Sequence, residues 1–272
     1  NEISVKKINF LKKEKDKFSL ALLATKKNNV YKIDSFKLFN RDNIFDLQNI
    51  IFSTDLKIKD FSSIEANYVN KDNFINDIII KKKNNKIKLK SKNIDISSNI
   101  KKALTSNDKE NFLDIFQNLN SSIYLEINLA KLDDDHSLKK LSGKIIIKKN
   151  MIDKANLFGK FNTKDKFVYT KEKLEGEKIT TIYSDIAEPF VKKFKFVKGF
   201  EGGKLDFIST KTDQNSSKSK LKIYDFKLKN MPILTKLLSL ASLRGIADLA
   251  TGEGIRFNEF DMIFNNSKNL IT

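Results

Sequence analysis

The sequence predicts a mainly β protein with a few α-helices, in which the strands form a long antiparallel meander. Apolar residues alternate with polar ones along short runs, one of which contains Ile123, Leu125, Ile127 and Leu129. This period-two alternation is typical of an antiparallel sheet with one face in water. Clusters of Asn, Asp and Lys separate the runs, whereas all nine glycines and both prolines come after residue 142. Because asparagine tolerates left-handed backbone conformations, we expect it to form the earlier turns.

A first helix is expected over residues 107–120. Asn107 and Glu110 resemble a capping box at its start, and such a box satisfies free backbone amides at the beginning of a helix. The apolar residues that follow have helical spacing and would form one stripe. They are Phe112, Ile115, Phe116 and Leu119.

Two further helices are expected towards the carboxy terminus. A short amphipathic segment covers residues 187–196. The strongest helical pattern begins at Pro232, a residue that suits the first position of a helix, and Gly252 ends it. Apolar residues cover more than one stripe of this 232–250 segment, so the helix should be buried on most sides.

The composition excludes several kinds of chemistry. The chain of 272 residues has no cysteine and one histidine, His136, so a thiol nucleophile, a disulfide and a multi-histidine zinc site cannot form within it. The cluster at 133–136 lacks the glycine and the distal glutamate of a calcium loop, and residues 199–204 lack the spacing of a phosphate loop. A solvated loop or the start of a helix explains the first segment, and a tight turn into a strand explains the second. We therefore expect no catalytic residues, no cofactor and no metal site.

Basic residues outnumber acidic ones, with 52 Lys and Arg against 34 Asp and Glu. Few of them are arginine, the residue that nucleic-acid readers use for bidentate contacts, so a solvated lysine surface is favoured over a nucleic-acid partner. The densest basic stretch has two interpretations, a solvated turn and strand face or a rim that contacts anionic headgroups. Its lysines are Lys81, Lys82, Lys83, Lys86, Lys88 and Lys90.

Three pieces of the carboxy-terminal third, Ile179–Asp185, Gly199–Phe207 and Tyr224–Phe264, stand in the order of a known family. Over residues 179–264 the chain resembles the carboxy-terminal region of the AsmA-like family, in its YhdP-type branch. The positions that carry the family motif are Gly202, Gly203, Pro232, Gly245, Gly252, Glu253, Gly254 and Phe257.

The resemblance implies a periplasmic protein that is anchored to the inner membrane of a Gram-negative cell by a segment upstream of this chain. It also implies a curled, repeating β-groove with an apolar floor. Such a protein would carry phospholipid between the inner and outer membranes without catalysis or a cofactor. Its partners would be phospholipid, the inner membrane, and outer-membrane or periplasmic proteins.

On this interpretation the chain has three parts. Residues 1–106 form an amino-terminally truncated β-groove segment, 107–120 the first helix, and 121–272 the AsmA-like carboxy-terminal region. The 232–250 helix of the last part would plug or cover the groove. The residues expected to line or plug the lipid track are Leu234, Leu237, Leu238, Ala241 and Ile246.

Two alternatives remain at the level of sequence. One-faced strands also pack on each other as a closed sandwich core, in which case the protein would be a structural or envelope-assembly factor that binds other proteins. The second alternative is a lysine-rich module that binds anionic membrane surfaces.

Overall fold

The computed structural model describes residues 2–5, 8–27, 30–98, 112–192, 199–211, 216–229, 254–267 and 270–271. Over these ranges the protein is mainly β, as predicted, and contains almost no helix. None of the helical segments in the described ranges has the length and apolar character needed to span a bilayer. The chain divides into two compact units within one strand, after Leu157, and the loop Leu132–His136 belongs to the second unit.

The first unit is built on a large mixed sheet. Hydrogen-bonded neighbours follow the order β12-β11-β10-β9-β8-β7-β5-β4-β3, with β6 paired to β5, while β1 and β2 form a separate two-stranded ribbon. The strands are β1 (Ile3–Val5), β2 (Phe10–Lys12), β3 (Ser19–Lys27), β4 (Val30–Phe39), β5 (Ile44–Phe52), β6 (Ile58–Asp60), β7 (Ser63–Val69), β8 (Ile75–Lys83), β9 (Lys86–Asp95), β10 (Ser121–Lys131), β11 (Ser137–Lys148) and β12 (Met151–Lys160).

The predicted antiparallel meander is interrupted at one pair of strands. β9 and β10 run parallel, so that Leu89 lies opposite Leu125. Parallel neighbours require a connection that returns the chain to the end of the strand where it started. Residues 96–120 connect the two strands, and in the described end of this connection Leu113, Phe116 and Leu119 belong to the buried cluster on the sheet. Asparagine forms the turn before β9 as expected, because Asn84 has a positive φ of 54°.

The core of the first unit lies beneath the end of this connection. Residues Phe112–Ile115 form a single 3₁₀ helix, and Phe116 makes a parallel bridge with Ile58. The helix predicted over 107–120 is therefore wrong for residues 112–120. The apolar stripe of this segment packs on the sheet through a short turn and an extended stretch instead. Residues 107–111 lie outside the described ranges. The buried cluster contains Ile50, Phe61, Ile87, Leu113, Phe116, Leu119 and Ile147.

The second unit has an antiparallel order, β18-β17-β16-β15-β14-β13. Its strands are β13 (Lys166–Leu174), β14 (Glu177–Ser184), β15 (Phe200–Lys211), β16 (Ser216–Leu228), β17 (Ile255–Ser267) and β18 (Leu270–Ile271). One short helix, α1 (Glu188–Val191), forms inside the predicted 187–196 segment and buries Pro189, Phe190 and Val191. The Phe190 ring stacks on Phe167 at a centroid distance of 5.6 Å, which places α1 on one face of this sheet.

Candidate functional site

A line of apolar side chains crosses seven strands of the first unit on one face of the sheet. Residues that are directly opposite in neighbouring strands share a face, and each member of this line is the register partner of the next. We call it the first apolar row. Its members are Leu22, Phe36, Leu47, Ile64, Ile80, Leu89 and Leu125.

The first apolar row is only partly covered by protein. Every member is half-buried except Leu22 at the β3 end, which is 55% exposed. Adjacent strands lie about 4.8 Å apart, so a row across seven strands is about 29 Å long. Half of the hydrocarbon core of a bilayer is about 15 Å thick. The row is therefore longer than one leaflet of the hydrocarbon core is thick, so an extended acyl chain can lie along it.

Covered regions border the row on two sides. On one side Leu47, Ile64 and Ile80 pack against the buried cluster that contains Phe116. On the other side the β1–β2 ribbon places Phe10, which is 4% exposed, against the neighbouring sheet residues.

The ribbon is fixed by aromatic contacts and a hydrogen bond. The Phe10 ring contacts Phe45 at a centroid distance of 5.0 Å and Tyr68 at 5.9 Å. The Tyr68 hydroxyl donates a 3.0 Å hydrogen bond to the Ile8 carbonyl. Burial raises the pKa of Tyr68 to about 12, so this hydroxyl keeps its proton at neutral pH. The two covers leave the row between them as a half-exposed apolar strip.

The second unit repeats this arrangement on its own strands. Its second apolar row consists of half-buried register partners on five strands, Tyr169, Ile182, Phe207, Leu221 and Met262. The adjacent row contains Ser184, Leu205 and Ile223, which are buried. α1 is tied to β15 beside this row, because the Ala187 amide donates to the Gly203 carbonyl at 2.7 Å. The second unit therefore also has one covered and one half-exposed row.

The lysines predicted as one headgroup rim divide between the two faces of the first sheet. Lys81, Lys83, Lys86, Lys88 and Lys90 are all exposed. On β9, Lys88 and Lys90 flank Leu89, so period-two alternation places them on the face opposite the first apolar row. Lys82 is on the same face as the row, with a side chain that is only 13% exposed. It pairs with Asp60 and lies 5.9 Å from the centre of the Phe61 ring.

Lysines lie opposite lysines on the exposed face. Lys81 is the register partner of Lys88, and Lys83 is the register partner of Lys86. Like charges directly opposite each other in a sheet are destabilising. None of these four lysines forms an ion pair with a carboxylate among the residues that the structure describes.

The neighbouring residues on β10 and β11 extend this surface. Lys88 lies opposite Tyr124, which lies opposite Lys144, and the Lys144 ammonium is 5.3 Å from the centre of the Tyr124 ring. We call Lys81, Lys83, Lys86, Lys88 and Lys144 the lysine face. A hollow of about 340 Å³ between β9 and β10 opens on it.

Acidic side chains begin one register row further along the strands. Glu65 lies opposite Ile79, which lies opposite Lys90, and the Lys90 ammonium is 2.8 Å from a Glu126 carboxylate oxygen. The hydrogen bond from Lys90 lowers the pKa of Glu126. The charge of Lys90 is therefore balanced by the Glu126 carboxylate at the border of the lysine face.

Two lysines of β16 on the polar face of the second unit form ion pairs with carboxylates of β17. Lys220 forms an ion pair with Asp261 at 3.2 Å, and Lys222 with Glu259 at 2.5 Å. The hydrogen bond that Lys222 donates to the Glu259 carboxylate raises the pKa of Lys222. The charges of these two lysines are balanced by carboxylates of the protein, unlike the charges of the lysine face.

Four of the family-motif residues lie in the described ranges. The sequence predicts a turn at Gly202 and Gly203 before a strand, and this prediction is wrong. Both glycines lie inside β15, with positive φ angles of 69° and 80°. A Cβ atom at Gly203 would be 3.0 Å from the Phe226 Cβ and 3.2 Å from the Phe200 ring. Phe226 stacks on Phe200 and on Phe257 at 5.2 Å each. Glycine therefore allows the backbone to approach this aromatic stack.

Gly254 is the residue immediately before β17. Gly254 has a φ of 83°, and a Cβ atom there would be 2.6 Å from the Leu228 carbonyl oxygen. The predicted 232–250 helix lies outside the described ranges, together with Pro232, Leu234, Leu237, Leu238, Ala241, Gly245, Ile246, Gly252 and Glu253.

The acidic cluster beside His136 is more enclosed than a solvated loop. The His136 side chain is 15% exposed, with Nδ1 2.9 Å from an Asp133 carboxylate oxygen and Nε2 3.9 Å from a Glu188 carboxylate oxygen. The Glu188 carboxylate also pairs with Lys192 at 2.5 Å and accepts a hydrogen bond from the Gly202 amide at 3.2 Å. The loop is therefore packed against α1, which only the tertiary fold reveals.

Comparison with protein-family models, curated proteins and solved structures finds no significant match to this chain. The AsmA-like resemblance therefore stays a prediction.

Proposed function

We propose that the protein binds phospholipid through its acyl chains along the apolar rows and carries it between the inner and outer membranes of a Gram-negative envelope. The observation that carries this proposal is the first apolar row, an in-register line of apolar side chains that remains half-exposed. An ordinary core would cover such a line on all sides. Each methylene group that leaves water contributes about 0.8 kcal/mol, so a long acyl chain gains enough to bind such a strip.

The proposal includes the finer architecture that the sequence predicts. The half-exposed rows would be the floor of an open groove, and the 232–250 helix would plug or cover part of it. Transport along such a floor is passive and needs no catalysis, cofactor or metal. The protein would act in the periplasm, held at the inner membrane by a segment upstream of this chain.

Lipid analysis of the purified protein tests the acyl-chain proposal. The chain is purified in its native state from Gram-negative cells, and bound lipid is extracted and identified by mass spectrometry. Co-purifying phospholipid in near-stoichiometric amount supports the proposal. A folded protein that carries no lipid would contradict it and would favour a closed core that binds other proteins.

The plug prediction has a test of its own. Leu238→Asp and Ala241→Asp place a charge on the predicted helix and should block transfer of phospholipid between donor and acceptor vesicles. Asp248→Asn, a change on the same segment that removes charge, is the control. Normal transfer by both charged variants, with unfolding midpoints like that of the wild type, would overturn the assignment of these residues.

A further inference from the structure

We propose that the lysine face of the first unit is a docking surface for an anionic phospholipid bilayer. The proposal goes beyond the acyl-chain site and does not rest on it. Its basis is the row of lysines on β8, β9 and β11 that have no carboxylate opposite them. Lys81, Lys88 and Lys144 lie on one register row, and Lys83 and Lys86 on the next.

The charges of this surface are available to a partner. All five lysines are exposed, and among the described residues of β7, β9 and β10 the carboxylates on this face begin at Glu65 and Glu126, one register row beyond Lys81 and Lys88. Glu126 is already occupied by Lys90. A sheet whose lysines are opposite lysines retains repulsion within the fold, and an anionic surface removes that repulsion.

The arrangement suits a bilayer surface better than a nucleic acid. The lysines belong to neighbouring strands of one sheet face, so they form a broad array, and clusters of four to eight basic residues at a membrane surface recognise anionic headgroups. Single-stranded nucleic acids are bound by aromatic side chains that stack on bases. The one aromatic residue of the lysine face rows, Tyr124, is half-buried and has the Lys144 ammonium 5.3 Å from its ring centre.

Docking through the lysine face would be electrostatic and would not use the acyl-chain site. Lys88 and Leu89 are consecutive on β9, so they lie on opposite faces. A bilayer against the lysine face would therefore meet headgroup contacts only, and the first apolar row would face away from it. Such binding collapses as salt concentration rises, because exposed charges are screened.

Vesicle co-sedimentation tests the docking surface. The full chain is mixed with vesicles of phosphatidylglycerol and phosphatidylcholine, with vesicles of phosphatidylcholine alone, and with single- and double-stranded DNA. We expect binding to the anionic vesicles that weakens with salt. Each lysine near an anionic surface strengthens binding about fivefold, so Lys81→Gln with Lys88→Gln should weaken it about 25-fold.

Lys220→Gln with Lys222→Gln is the matched control, because it removes the same charge from lysines that are paired with Asp261 and Glu259. It should change vesicle binding by less than about twofold. Equal losses in both double variants would overturn the proposal, since net charge alone would explain binding. Binding to DNA without binding to anionic vesicles, or no vesicle binding at low salt, would overturn it as well. The lipid extracted from the purified protein reports on the acyl-chain site separately.

Discussion

The two units of this protein are alike on their apolar faces and different on their polar faces. Each has a half-exposed row of register partners beside a covered region, which is formed by residues 112–119 in the first unit and by α1 in the second. On the polar face, Lys88 of the first unit lies opposite Lys81, whereas Lys222 of the second lies opposite Asp261. Under our proposal, both units therefore bind acyl chains. The lysine pairs give the first unit a charge that its own fold does not use.

The covers should account for the largest effects on stability. Phe116, which is 8% exposed, and Phe190, which is 5% exposed, each fill a buried site, so Phe116→Ala and Phe190→Ala should each lower the free energy of unfolding by about 3 kcal/mol. Leu47→Ala in the half-exposed row should cost only about 1 kcal/mol. Urea denaturation followed by circular dichroism measures all three. A cost for Phe190→Ala as small as that for Leu47→Ala would show that the two covers are not equivalent.

Acid should weaken the cover of the second unit. Burial raises the pKa of Glu188, but the hydrogen bonds from Lys192 and the Gly202 amide outweigh it, and the net pKa lies below its usual range. A carboxyl group with a lowered folded-state pKa stabilises the fold above its unfolded-state pKa, and this contribution disappears as the pH falls through the folded-state value. Glu188→Gln should therefore lower the melting temperature at neutral pH and have a smaller effect below about pH 4.

Glu126→Gln is the comparison for this pH series, because the pair of Glu126 with Lys90 is exposed, with side chains 65% and 60% accessible. Exposed pairs contribute little in physiological salt. The difference between wild type and variant should therefore depend on pH more strongly at Glu188 than at Glu126. Equal pH profiles would show that Glu188 does not hold α1.

The smallest expected effects have opposite signs in the two units. Lys88→Glu places a carboxylate opposite Lys81 and should raise the melting temperature slightly, since it replaces a repulsive pair by an attractive one. Lys222→Glu places a third carboxylate beside Glu259 and Asp261 and should lower it. Thermal melts at low salt measure both changes. A lower melting temperature for both variants would mean that carboxylates of the protein already balance the charges of the lysine face.

Much of the strand architecture could be predicted from local sequence. The alternation of Ile123, Leu125 and Ile127 corresponds to β10, and Asn84 forms the turn between β8 and β9 through a positive φ. Both features could be predicted because each depends on neighbouring residues only. The parallel step between β9 and β10 could not be predicted. The stripe that includes Phe116 has the spacing of a helix, but which surface it packs on depends on a sheet assembled from distant strands.

The candidate site was predictable to a similar extent. The division of Lys81 and Lys82 between two faces follows from period-two alternation, which their position in one basic run obscures. The register that brings Lys81 opposite Lys88, and Leu89 opposite Leu125, is a property of strand pairing. Likewise, Gly203 is close to Phe226 inside a strand pair rather than in a turn, and no local pattern indicates this approach.

Site-specific photo-crosslinking tests the central claim most directly. A benzophenone amino acid is placed at Leu89 in the first apolar row, or at Lys220, which is on the polar face of the second unit and outside the lysine face, and the full chain is irradiated in Gram-negative cells. We expect a phospholipid adduct at position 89 and little at position 220, with both variants folded by circular dichroism. Equal adducts at the two positions, or none at 89, would contradict binding of acyl chains along the row.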